Sequence, residues 1–132
     1  MKATSLIFLI AAVFCIASCK KGGVAPSGIT GKWELRRSYG GFAYHDSVYP
    51  AGSGNMYQFN SNGTYSSFTQ GQLTAHGKFV FKKDGIQWSG TTFDEILFDG
   101  NTDGQLVTLK DTVLTFGTTI TDGIATDYVK IR

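Results

Sequence analysis

The longest regular pattern in the chain is an alternation over residues 73–82. Apolar or small residues, among them Phe79 and Phe81, occupy every second position, and mostly polar residues lie between them. Successive side chains of a β-strand point to opposite faces, whereas those of a helix repeat every 3.6 residues. The segment therefore predicts a strand with one buried face. Beyond residue 28 the sequence shows no helical period of useful length.

Short runs of the same kind fill the rest of the chain after residue 28, separated by Gly, Asn and Asp. Tyr57 and Phe59, for example, lead into a turn at residues 60–63, and Tyr65 begins the next run. Roughly eight to ten such strands indicate an all-β antiparallel meander, which can close into a barrel or fold into a sandwich. We favour an up-and-down barrel of about eight strands, because closure removes exposed edges and no long crossover is visible.

The N-terminus predicts export. Lys2 gives the start one positive charge, and an apolar run follows over residues 6–17. A run of about a dozen residues is shorter than the roughly 20 that span a bilayer as a helix, so residues 1–18 are predicted to be a signal peptide. The sequence Ile16-Ala17-Ser18-Cys19 resembles the bacterial lipobox. This resemblance implies that Cys19 receives a thioether-linked diacylglycerol and acyl chains such as palmitate, which anchor the protein stably.

The residues after Cys19 predict where the anchored protein resides. In the lipoproteins that this segment resembles, an acidic residue after the cysteine often marks retention at the inner membrane, and here the residue is Lys20. We therefore expect an outer-membrane protein that faces the periplasm, with exposure on the cell surface left open. Residues 19–28 are rich in Gly and contain Pro26, as expected of a flexible tether. Residues 29–132 form the predicted domain.

The charge balance and the cysteines exclude several other classes. Twelve Lys and Arg residues become eleven once Lys2 is removed, against ten Asp and Glu. With no basic stripe, nucleic acid is not an expected partner. Cys15 leaves with the signal peptide and Cys19 is acylated, so no thiol remains for a disulfide. The fold must rest on its core, which the aromatic residues can supply.

Several short motifs resemble the lipocalins, and bacterial lipocalin-like lipoproteins in particular. The resemblance covers most of residues 29–132 and rests on the runs at 31–33 (Gly-Lys-Trp), 57–65, 77–79 and 128–132. It implies an up-and-down barrel of eight antiparallel strands in which Trp33 plugs the closed end. It also implies a basic residue of the last strand packed over that Trp. Lys130 and Arg132 are the matching positions, and we favour Arg132 for its planar guanidinium.

The resemblance also suggests a ligand-binding mouth. Residues 40–55, with Phe42, Tyr44 and Tyr49 among several glycines, sit where lipocalins place a long loop over the barrel opening. These aromatic residues either cap an apolar ligand as a mobile lid or complete the core. Arg37 shares the parity of Trp33, so it either points inward as a handle for an anionic head group or is turned outward by a bulge.

The wall of the ligand site is expected to be apolar. Its predicted members are Leu35, Tyr57, Phe59, Tyr65, Phe79, Phe81, Trp88, Leu97 and Leu109.

Metal binding and catalysis have weaker signals. Asp99, Asn101 and Asp103 match the first half of a calcium loop, but Lys110 stands where its bidentate Glu belongs, and a polar hairpin turn has the same composition. We expect no metal and no cofactor. No nucleophile elbow, phosphate loop or zinc spacing is present, so an enzyme is the least favoured reading.

Two functions follow from these features. The first is an outer-membrane lipoprotein whose lipocalin-like barrel binds a small apolar or amphipathic ligand. The alternative is a structural or interaction module of the cell envelope, whose barrel is filled by its own side chains and holds no ligand.

Overall fold

The computed structural model describes residues 28–132 of the protein. The predicted signal peptide, the lipidation site at Cys19 and the tether up to residue 27 lie outside the described residues. Within the described part, nine β-strands are connected by turns and short loops. They are β1 (Gly31–Gly40), β2 (His45–Val48), β3 (Met56–Phe59), β4 (Thr64–Thr69), β5 (Gln72–Trp88), β6 (Thr91–Phe98), β7 (Gln105–Lys110), β8 (Val113–Gly117) and β9 (Ile124–Ile131). Among residues 28–132, no helix is long and apolar enough to cross a membrane.

The strands form one closed antiparallel sheet. From β3 to β9 each strand pairs with the next, and β9 returns to pair with β1 along nearly its whole length. β3 pairs with the first part of β1, and β2 pairs with the last part, on the same side. The sheet is therefore an eight-stranded up-and-down barrel with β2 as one additional short strand. The predicted all-β barrel is confirmed, and the closure between β1 and β9 excludes the sandwich.

One end of the barrel is sealed by the residues around Trp33. Trp33 and Ile29 are fully buried, and the indole Nε1 of Trp33 donates a hydrogen bond to the carbonyl oxygen of Ile29 at 2.7 Å. The cation over the indole ring is Lys130, whose Nζ lies 5.2 Å from the ring centroid, and not the expected Arg132. Register explains this choice, because Lys130 lies directly opposite Trp33 in the β1–β9 ladder and shares its face.

The middle of the barrel is filled by its own side chains. Tyr57 lies at the centre, where its ring centroid is 5.7 Å from that of Phe59, 5.5 Å from Phe116 and 5.4 Å from Tyr128. Offset and tilted aromatic pairs at these distances each contribute about 0.5–1.5 kcal/mol beyond the burial of their area. The buried cluster comprises Ile29, Trp33, Phe59, Tyr65, Phe79, Ile96, Val107, Leu114 and Phe116.

The hairpin of β5 and β6 reaches beyond the barrel wall. The sequence Lys83-Asp84-Gly85 has the Asp-Gly pair typical of a hairpin turn, but it lies inside β5, where the pairing with β6 shifts register between Lys82 and Ile86. The chain reverses instead at Ser89 and Gly90, both with positive φ. This shift carries Trp88 to the end of the hairpin, where it is 39% exposed and packs against Phe93. Trp88 therefore does not face the barrel interior as predicted.

Candidate functional site

The end of the barrel opposite Trp33 contains a cup with a volume of about 390 Å³. It opens above the aromatic core and is bounded by β1, β3, β4, β5, β9 and the segment between β2 and β3. Ten residues line it: Leu35, Tyr49, Asn55, Met56, Tyr57, Ser67, Phe68, Thr69, Thr74 and Tyr128.

The floor of the cup is made by Leu35, Tyr57 and Tyr128. Leu35 and Tyr128 are directly opposite each other in the β1–β9 ladder, and the ring of Tyr128 packs against that of Tyr57. Burial raises the pKa of both phenols above its ordinary value. At neutral pH these groups therefore keep their protons and can donate hydrogen bonds into the cup.

One wall of the cup is the segment of residues 49–55, which interrupts the ladder beside β1. It leaves the ladder where Tyr49 N donates to Arg36 O, and it rejoins where Leu35 N donates to Asn55 O, both at 2.8 Å. Its two ends thus bond adjacent residues of β1. The seven residues 49–55 form an outward excursion from what is otherwise one strand.

The excursion also forms hydrogen bonds with the turn between β4 and β5. Gly71 N donates to the carbonyl oxygen of Gly54 at 2.9 Å, and Gln70 N donates to the side-chain oxygen of Asn55 at 3.0 Å. Gly54 has a φ of +72°, and a Cβ there would clash with the backbone N of Gly71, so only glycine fits. The wall of the cup is therefore a hydrogen-bonded structure, whereas one of the two alternatives from the sequence was a mobile lid.

A buried carboxylate supports the excursion from beneath. Glu34 is 4% exposed, accepts a hydrogen bond from Gly54 N at 3.3 Å, and forms an ion pair with Arg36 at 2.8 Å. The sequence analysis missed Glu34, because its outward parity between Trp33 and Leu35 is that of an ordinary exposed strand residue. Only the fold shows that the excursion covers it.

Of the three aromatic residues predicted to form the lid, only Tyr49 lines the cup. Phe42 and Tyr44 lie in the turn between β1 and β2 and are 93% and 66% exposed. They neither cap the cup nor complete the core. The physical reason is β2, which pairs with β1 and carries this turn beyond the rest of the wall.

Arg37 is turned outward. The β1–β9 register shifts between Leu35 and Arg37, which is the bulge that one of the two predictions required. The guanidinium donates two hydrogen bonds to Asp46, at 2.9 and 2.7 Å, and lies over the ring of Tyr39. The hydrogen bonds from Arg37 hold the pKa of Asp46 below its usual value. The cup therefore lacks the proposed handle for an anionic head group.

The other predicted wall residues divide between the core and the outer surface. Phe59, Tyr65 and Phe79 are buried in the aromatic core below the cup, and Phe81 and Leu109 pack against that core. Leu97 is buried, but it lies outside that core cluster and opposite the exposed Val80 in the β5–β6 ladder. Leu35 and Tyr57 are the predicted wall residues that line the cup.

Tyr128, Phe68 and Met56 are lining residues that the sequence analysis did not select. Tyr128 had a usable signal, since it shares the parity of Lys130 two positions later in the last strand. Phe68 had none, because its parity in β4 is opposite to that of the buried Tyr65.

The segment that matches the first half of a calcium loop has a structural role at its first residue, Asp99. The carboxylate of Asp99 accepts hydrogen bonds from the backbone N of Lys78 at 3.0 Å and from the hydroxyl of Tyr65 at 2.7 Å. Burial and this hydrogen bond raise the pKa of Tyr65 to about 12. In residues 28–132 no group of three His, Cys, Asp or Glu side chains is arranged to hold a metal ion.

Comparison of the chain with protein-family models, with curated proteins and with solved structures gives no match. The fold is nevertheless compatible with the lipocalin resemblance, since it is a closed eight-stranded antiparallel barrel with a Trp at one end. The chemistry of the cup must be inferred from the side chains that line it.

Proposed function

We propose that the protein is a lipocalin-like outer-membrane lipoprotein, anchored through Cys19, that holds a small amphipathic molecule in the cup. The observation that supports this proposal is the cup itself, with its volume of about 390 Å³ above an aromatic floor. Ligand pockets in proteins typically measure about 300–1,000 Å³ and combine apolar walls with a few polar groups. The cup falls within this range of volumes and combines aromatic rings with several hydroxyl groups.

The ligand enters from the open end and stops at the floor. Below Tyr57 the barrel is filled, so the ligand caps the aromatic core and does not penetrate it. Its apolar face packs on Leu35 and Phe68. Each Å² of apolar surface removed from water contributes about 25 cal/mol before the entropy costs of binding are subtracted. A shallow cup therefore implies a small ligand.

The position of the tether suits this function. Residue 28, where the described chain begins, lies at the closed end, because its carbonyl oxygen is 3.4 Å from Nζ of Lys130. A lipid anchor at Cys19 would therefore join the barrel at the end opposite the cup. This arrangement leaves the mouth of the cup free on the aqueous side of the membrane.

Native mass spectrometry of the lipoprotein purified from its own host tests the proposal. Thr74 is an exposed residue on the rim of the cup, and Thr74→Trp should fill the opening. We expect a small molecule bound to the wild type, lost from Thr74→Trp, and retained by Gln87→Trp on the distant β5–β6 hairpin. A wild-type protein without any bound molecule, or one that loses it equally in both variants, would contradict the proposal.

The second candidate function is the interaction module, and a separate observation favours it. The β1–β2 turn and the β8–β9 loop touch through a hydrogen bond from Gly41 N to Gly123 O. Together they expose four large hydrophobic side chains: Phe42, Tyr44, Ile120 and Ile124. Exposed apolar patches of this kind often mark sites of protein association.

Photo-crosslinking in the cell envelope tests this second function. A photoreactive residue at position 42 should form adducts with one other envelope protein, whereas the same residue at the exposed position 88 should not. Equal labelling at both positions would indicate collisions without a specific surface.

A further inference from the structure

The lining of the cup is polar but carries no charge. Seven of its ten residues have a hydroxyl or amide group, and Asp, Glu, Lys, Arg and His are absent from the lining. The polar groups include the phenols of Tyr49, Tyr57 and Tyr128 and the hydroxyls of Ser67 and Thr74. Each hydroxyl can both donate and accept a hydrogen bond, so the cup can match a ligand rich in hydroxyl groups.

The charged side chains nearest the cup are already paired with each other. Glu34 and Arg36 form their ion pair under the excursion, and Arg37 pairs with Asp46 on the outer face. A charged ligand in the cup would lose water without gaining an opposite charge, which disfavours binding. The raised pKa values of Tyr57 and Tyr128 are consistent with this neutral character, since burial keeps both phenols protonated.

Aromatic rings and hydroxyl groups are combined at the floor. The rings of Tyr57 and Tyr128 offer apolar surfaces, and Ser67 and Thr74 stand together on the wall, their hydroxyl oxygens 3.2 Å apart. A ring with an apolar face and hydroxyl groups at its edge satisfies both surfaces at once. A simple alkyl chain could form no hydrogen bond with these hydroxyls.

On the basis of the function proposed above, we infer that the ligand is an uncharged, hydroxyl-bearing ring of the sugar or glycoside class. Its apolar face packs on the tyrosines of the floor, and its hydroxyl groups bond the hydroxyls of the wall. Fatty acids and other anionic amphiphiles are excluded by the same neutral lining.

The chain contains a built-in reporter for this site. It has two methionines, Met1 and Met56, and Met1 falls in the predicted signal peptide. Met56 is one of the lining residues and directly precedes Tyr57 of the floor, so the mature lipoprotein with ¹³C-labelled methionine methyl groups should give a single resonance beside the site. The lipidated protein in nanodiscs would be titrated separately with phenyl β-glucoside, phenyl β-glucuronide, octanoate and octanol.

We expect phenyl β-glucoside to shift the Met56 resonance and to bind at least tenfold more tightly than the glucuronide, which differs by its carboxylate. Octanoate should give no saturable shift. If the glucuronide or octanoate binds as tightly as the glucoside, the neutral class is wrong while the cup remains a ligand site. If octanol binds in preference to the glucoside, the hydroxyl-bearing ring is wrong. If none of the four perturbs Met56, this inference fails together with the proposed function.

A charge placed on the wall should reverse the preference. Thr74→Lys adds an ammonium group at the exposed rim, and it should tighten glucuronide binding at least tenfold relative to the glucoside. Thr91→Lys, on the hairpin far from the cup, is the matched control for net charge and should change neither affinity. An unchanged preference in a folded Thr74→Lys protein would show that the charge of the lining does not select the ligand.

Discussion

The two ends of the barrel are built from the same strands, yet one is sealed and the other is open. At the closed end Trp33 and Ile29 are fully buried, and the indole N–H has its acceptor at 2.7 Å. At the open end Leu35, only two positions further along β1, lines a cup of about 390 Å³. Side chains at both positions point inward, so strand direction does not account for the difference.

The two ends differ in the volume of their side chains and in the continuity of the strand pairing along β1. At Trp33 the largest side chain fills the barrel, and β3 and β9 pair with β1 on both sides. Just beyond Leu35 the β1–β9 ladder contains a bulge, and on the other side the excursion of residues 49–55 interrupts the pairing. The closed half therefore contains the fully buried Trp33 and Ile29, and the open half contains the cup.

The largest effect should come from the closed end. Trp33→Ala removes a fully buried aromatic side chain and leaves a cavity, so we expect a loss of about 3–5 kcal/mol in the free energy of unfolding. Trp88→Ala, at the partly exposed hairpin end, should cost under about 1 kcal/mol. Urea denaturation of the purified mature proteins measures both values. Similar losses in the two variants would contradict the role of Trp33 as a plug.

A smaller effect should arise where the wall of the cup meets the β4–β5 turn. Gly54→Ala combines a positive φ with a clash against the backbone of Gly71, and we expect it to cost about 2–3 kcal/mol. Gly52 has a similar φ of +79°, but a Cβ there meets nothing within 4 Å. Gly52→Ala should therefore cost about 1 kcal/mol, from backbone strain alone. Equal costs would mean that the excursion moves away from the turn without penalty.

The boundary between the filled core and the cup should show a still smaller effect that depends on pH. Tyr65→Phe loses the hydrogen bond to Asp99, so it should cost about 1 kcal/mol near pH 8. Because the folded protein raises the pKa of Tyr65 from 10.0 to about 12, this contribution is complete below pH 10 and is lost as the pH rises through 12. Unfolding measured from pH 8 to pH 12 should show the two proteins converging. A constant difference would show that the ionisation of Tyr65 is not linked to folding.

The smallest effect should come from the tip of the open end. Phe42 is 93% exposed, so Phe42→Ala should change the free energy of unfolding by less than about 0.5 kcal/mol. A thermal melt of the variant beside the wild type measures it. A loss of 2 kcal/mol or more would place Phe42 in the core.

Much of the closed half could be predicted from the sequence. The alternation around Phe79 and the motif at Trp33 are strong because buried strand faces require apolar residues at every second position. The position of Lys130 over Trp33 could also have been predicted, since the parity of the last strand already placed it on the face of Trp33. Arg132 was preferred because of its planar guanidinium. That preference did not take into account which face of the strand each side chain occupies.

The open half was harder to predict for physical reasons. β2 (His-Asp-Ser-Val) has no buried face, so it shows no apolar alternation, and residues 40–55 looked like one long loop. At Trp88 the Asp-Gly pair predicted a hairpin turn that the chain makes five residues later, at Ser89 and Gly90. In both places the register of a hairpin between neighbouring strands decides the structure, and the apolar pattern does not specify that register.

The most direct test of the contrast between the two ends is one titration observed at both. Met56 reports on the cup and the indole N–H of Trp33 reports on the plug, and both can be followed by NMR while phenyl β-glucoside is added to the lipoprotein in nanodiscs. We predict a saturable shift of the Met56 methyl resonance and an unchanged Trp33 indole resonance. A shift of Trp33 to the same extent, or of Trp33 alone, would contradict the account, because the ligand would then reach into the half of the barrel that side chains fill.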